Sequence, residues 1–123
     1  KSVCADPFPS VADIRSASYL APDPRDQLFA TVFGTDPLGT VDPSTYTLRS
    51  ALNEGSTLNA KAAALYLGTA NSVTPNQDLI KTLWVQGVVG NSYTTGGYKT
   101  TTSTWTRLEV EKYFNYLLGI PTL

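Results

Sequence analysis

A capping side chain stands directly before proline at Asp23-Pro24, Asp42-Pro43 and Thr74-Pro75, each ahead of a candidate helical segment. Each pairing joins an acceptor for unpaired helical N–H groups to a residue whose fixed φ suits the first helical turn. Thr74 with Gln77 and Thr106 with Glu109 also have capping-box spacing. Ser10 with Asp13, and Ser56 after Gly55, mark two further starts. Gly34, Gly55, Gly68 and Gly119 stand where helix ends favour a residue tolerant of positive φ. This punctuation predicts helices near 11–20, 24–33, 43–54, 57–69, 75–86 and 105–118, after an N-terminal tail over 1–9.

Hydrophobic spacing agrees with that reading. Leu58, Ala62 and Leu65 form one stripe in an Ala-rich segment, and Leu79, Ile80, Leu83, Trp84 and Val88 form a broad apolar face. Val110, Tyr113, Phe114, Leu117 and Leu118 do the same near the C-terminus. Between the last two helices, Gly90–Lys99 and a Thr run to Thr104 read as a Gly/Thr-rich loop with some tendency to extend. The fold class is therefore mostly α: one domain over 1–123, a small bundle of about six short helices. A shift of 51 residues superposes Leu28 on Leu79, Thr31 on Thr82, Gly39 on Gly90, Lys61 on Lys112 and Gly68 on Gly119. The same order of signals thus allows two diverged helical repeats, 24–70 and 75–120.

Composition narrows the chemistry. His is absent, which removes the commonest general base, His-dependent nucleophile systems and most zinc sites. Nine basic against ten acidic residues leave no basic footprint for nucleic acid. No segment approaches the apolar length of a transmembrane helix. There is one cysteine, Cys4, in the tail, and Lys1-Ser2-Val3 before it suggests a processed or truncated start. Seventeen Thr and ten Ser, few charges and Gly-rich segments fit an extracytoplasmic protein, secreted or at a cell surface. No phosphate loop, nucleophile elbow or cofactor motif is present. Glu109 and Glu111 are close in sequence but on different faces of a helix, so they make no two-carboxylate hydrolase site. A non-enzymatic module is expected, without cofactor or metal. Asp36–Asp42 has a faint calcium-loop look, but Leu38 and Val41 interrupt it and Asp42 is better placed as a cap.

Residues 76–120 resemble an S-layer homology repeat, a module with which bacterial surface proteins hold cell-wall polysaccharide. The matching elements are the helix Leu79–Val85 and the Gly87-Val88-Val89-Gly90 turn. Gly96-Gly97-Tyr98, the helix-opening Thr106-Arg107-Leu108-Glu109 and the closing Leu117-Leu118-Gly119-Ile120 follow. In the first half Ser56-Thr57-Leu58-Asn59 replaces the Thr-Arg-x-Glu element. Leu28–Gly68 instead resembles helical repeats of secreted bacterial proteins, through Phe33-Gly34-Thr35-Asp36-Pro37 and Leu52-Asn53-Glu54-Gly55. The first resemblance implies that Arg107 grips an anionic glycan through its planar fork of donors. Thr106 would add a hydroxyl, and Gly96 and Gly97 would let a sugar approach the backbone. The residues alone also allow an ordinary exposed pair between Arg107 and Glu111, with Thr106 only a cap. Tyr93, Tyr98 and Trp105 form either a platform for a sugar ring or a contact with another subunit. The partner is thus a cell-wall polysaccharide or a larger extracytoplasmic protein assembly.

Overall fold

The computed structural model describes residues 7–95 and 104–121. Among these residues six α-helices run in chain order: α1 Val11–Ser16, α2 Phe29–Phe33, α3 Leu48–Leu52, α4 Leu58–Gly68, α5 Gln77–Thr82 and α6 Arg107–Leu118. A 3₁₀ turn, Pro24–Asp26, precedes α2, and a π-helical segment, Leu83–Val89, continues α5. Two short strands, β1 Tyr93–Thr94 and β2 Thr104–Trp105, pair antiparallel just before α6. The expected mostly-α bundle is what forms.

The middle of the molecule belongs to α4, which packs against α1, α3, α5 and α6. The stripe expected on this helix is in fact a whole circumference: Asn59 through Leu65 are all buried. A helix enclosed on every side is what an Ala-rich sequence permits, because small side chains let neighbours approach from all directions. Around it lies an aromatic cluster. Phe29 stacks on Phe33 at 4.5 Å between centroids and meets Trp84 edge-on at 5.0 Å. The Trp84 indole N–H donates to Thr35 Oγ1 at 3.0 Å, so full burial leaves it satisfied.

Several helix boundaries move, each for a visible reason. The span expected at 24–33 breaks between Asp26 and Phe29, and the one at 43–54 begins only at Leu48. Leu28 and Thr47 form an antiparallel bridge there. Phe29 N donates to Tyr46 O and Leu48 N to Gln27 O, both at 2.9 Å. Those long-range bonds occupy groups that a continuous helix would have used. Asp42 consequently caps only a turn, with its carboxylate accepting from Ser44 N, while Thr47 caps α3.

The helix expected over 11–20 stops at Ser16, where the Arg25 guanidinium takes the carbonyls of Ile14 and Arg15. Asn76, and not Thr74, caps α5; the expected partner Gln77 turns away and donates to Tyr66 O. Gly34 and Gly119 end α2 and α6 at positive φ as expected, whereas Gly68 is the last turn of α4 and Thr69 follows as its cap. Part of the expected tail is fixed in place: Phe8 N donates to Leu117 O at 2.9 Å. Among the described residues, no helix is long and apolar enough to cross a membrane.

Candidate functional site

The hairpin base and the start of α6 bring together most of the described residues singled out above. The local geometry begins in the π segment. Its C-terminal bonds are longer in span than α-helical ones, with Gly90 N donating to Val85 O and Ser92 N to Gln86 O. The wider turn presents Gly87 directly to α6, where a Cβ would stand 2.3 Å from Val110 Cγ2. Only glycine allows the two elements this close. Gly87-Val88-Val89 is therefore the last turn of a helix, where a connecting turn was expected from the resemblance.

Arg107 fastens this junction twice. Its backbone N–H donates to Asn91 Oδ1 at 2.7 Å, and its side-chain Nε donates to Val88 O at 2.7 Å. Asn91 adopts positive φ, which lets its side chain turn back towards the first turn of α6. The Arg107 side chain thereby satisfies one of the carbonyls that a helix end leaves without a partner. The exposed pair with Glu111 does not form. Glu111 pairs with Lys61 Nζ of the neighbouring α4 at 3.1 Å, and Arg107 makes no ion pair among the described residues. Thr106 acts as a cap: its N–H donates to Glu109 Oε1 at 2.9 Å, and its hydroxyl lies 3.4 Å from the same oxygen.

Three rings line the outer edge of this junction. Strand pairing sets Tyr93 opposite Trp105, with centroids 6.1 Å apart, and Trp105 lies 5.4 Å from Tyr113 of α6. All three are half-buried. Burial pushes the Tyr113 hydroxyl above the ordinary phenol range, and the neighbouring Tyr116 and Tyr93 phenols add to the shift. Tyr116, one helical turn beyond Tyr113, is 69% exposed and continues the row towards solvent. Gly96, Gly97 and Tyr98 lie outside the described residues, as does Cys4.

The sequence reading missed three contributors. Tyr113 counts as a core residue by spacing alone, yet it is the third ring. Tyr116 sits three residues further along the same flank, and that i,i+3 spacing is the signal that was available. Asn91 gave no sequence signal beyond its tolerance of positive φ. Elsewhere, no group of three or more Asp, Glu, Cys or His side chains gathers among the described residues, and Asp36 and Asp42 form no cation cage. No protein-family description matches the chain, and neither a curated protein nor a solved structure is similar to it.

Proposed function

We propose that this protein is a non-catalytic, extracytoplasmic binding module that holds an anionic cell-surface glycan at the junction of the hairpin and α6. The observation that carries the reading is the row Tyr93–Trp105–Tyr113 at the junction where Arg107 is anchored on the π segment. Aromatic faces offer apolar area to the C–H faces of sugar rings. A guanidinium with its Nε committed to Val88 O is held in one orientation, and its remaining donors suit a carboxylate or phosphate on the glycan. The S-layer homology resemblance of residues 76–120 supports the same reading, because its Thr-Arg-x-Glu element falls on this junction.

A second reading has its own observation. Tyr116 extends the ring row with an exposed aromatic surface, and Tyr and Trp are the residues that most often anchor protein interfaces. On that reading the module is a structural subunit docking onto a larger extracytoplasmic or membrane-associated protein complex.

Cosedimentation with bacterial sacculi separates the two. Glycan binding predicts sedimentation that disappears when the sacculi are stripped of attached polysaccharide, weakens with salt, and falls at least tenfold in Arg107→Ala and Trp105→Ala. Folded protein that stays in the supernatant with every wall preparation overturns the glycan reading and leaves subunit docking.

A further inference from the structure

At the N-terminal end of α4 a second arrangement takes no part in the proposed glycan site. The chain between α2 and α3 is pinned to α4 by Asn59, which is 3% exposed. Its Oδ1 accepts from Leu38 N at 3.0 Å, and its Nδ2 donates to Leu38 O at 2.9 Å and to the Tyr46 hydroxyl at 3.2 Å. The Tyr46 hydroxyl in turn donates to one oxygen of Glu54, and the Thr57 hydroxyl donates to the other. Burial above all, with the Glu54 bond added, pushes the Tyr46 hydroxyl well up, so it remains a donor at ordinary pH.

This relay holds the Glu54 carboxylate at the rim of a cavity of about 300 Å³. Leu38, Val41 and Leu58 supply aliphatic walls, and Gly39, Thr57 and Asn59 complete the lining. Among the described residues no Lys or Arg pairs with Glu54; the ion pairs fall on Asp23, Asp26 and Glu111. A carboxylate accepts about four hydrogen bonds, and the two hydroxyls supply two of them. Glu54 is exposed, so water fills the rest and an incoming cation meets the charge by displacing that water. The cavity is at the small end of the range for ligand pockets. An oriented anion at the rim of a small pocket with aliphatic walls is complementary to a cation on an apolar stem.

We propose that this cavity binds a primary ammonium group carried on a short unbranched alkyl chain, with the ammonium on Glu54 and the chain between Leu38, Val41 and Leu58. The shared chemistry covers a free alkylamine and the side chain of a lysine in a peptide.

Titration of the isotope-labelled full chain, followed by amide NMR shifts, tests the assignment. The ligands are methyl-, ethyl-, propyl- and butylammonium chloride at constant ionic strength. Butanol and sodium butyrate serve as neutral and anionic controls. Saturable shifts are expected at 38–41 and 54–59, with millimolar affinity for so few atoms. Affinity should rise about twofold to fourfold per added methylene. Butanol and butyrate should bind at least about fivefold more weakly, and Glu54→Gln should lose about fivefold for butylammonium. Tighter binding of Nα-acetyl-lysine methylamide than of butylammonium identifies a peptide lysine as the source, and weaker binding a free amine. Absence of saturable shifts at these residues overturns the proposal. So does equal binding of butanol, affinity independent of chain length, or undiminished binding in a folded Glu54→Gln variant. The chain-length series uses unaltered protein and decides the matter even if that variant is unstable.

Discussion

At the scale of single residues, one buried arginine ties several segments together. Arg25 is only 6% exposed, and its guanidinium spans three groups. Nη1 holds the α1 carbonyls, Nε and Nη2 grip Asp23, and the plane lies 4.8 Å from the Tyr19 ring centroid. Asp23 also accepts from Arg49 Nη2 at 2.8 Å. The hydrogen bond from Arg25, reinforced by Arg49, holds the Asp23 carboxyl far below the usual carboxylate range. A carboxyl whose pKa is lowered by folding stabilises the native state above its unfolded pKa of about 3.9. That contribution drains away as pH falls from there towards the folded value. Asp23→Asn should therefore be less stable than the wild type at pH 7, and the gap should narrow as pH drops from about 4 towards 2. Urea midpoints across that range measure the gap; parallel curves for the two proteins would sink the argument.

At the scale of elements, the junction between the π segment and α6 depends on the absence of one methyl group. Gly87→Ala would drive a Cβ to within 2.3 Å of Val110 Cγ2, and overpacking of this kind costs about 1–3 kcal/mol. Val110→Ala removes the obstructing atom at its own cost for lost burial. The double variant should then be more stable than the sum of the single losses predicts, with a coupling of about 1 kcal/mol. Thermal unfolding of the four proteins supplies the cycle, and strict additivity would place the clash elsewhere.

The same junction shows how far the sequence could be read. Thr106 with Glu109, Gly119 and the apolar face of α6 are local signals, and the helix forms where they put it. The ring pair Tyr93 and Trp105 was visible as residue types, and strand pairing then made them neighbours. What was not legible depended on partners distant in the chain. The bridge between Leu28 and Thr47 split two expected helices, and Asn91 claimed the N–H of Arg107 from sixteen residues away. The π continuation of α5 had no advance mark either, because Gly87 and Gly90 read equally well as a turn. Capping rules describe what a segment does alone, and these segments are not alone.

For the whole molecule, the decisive question is how an enclosed central helix tolerates a charge. Lys61 lies in the buried α4 with its side chain 8% exposed, and its only ion-pair partner among the described residues is Glu111 of α6, fifty residues on. Glu111 is 34% exposed, so the two ends of the pair are not equivalent. Removing the carboxylate leaves an ammonium in the core with no compensating charge. Removing the ammonium leaves a carboxylate that can still turn to water. Fully buried pairs lose about 3–5 kcal/mol when one partner goes, whereas apolar replacement of the buried member is often close to neutral. Partial exposure of Glu111 lowers the first figure, so Glu111→Gln should cost about 2 kcal/mol and Lys61→Met less than about 1 kcal/mol. Because α4 touches α1, α3, α5 and α6 together, either loss should shift one common transition, with the urea m-value unchanged. If Lys61→Met proved as costly as Glu111→Gln, the pair would be stabilising through both partners. The linkage between the two halves would then rest on the ion pair, where the asymmetry of burial assigns it to the apolar packing around α4.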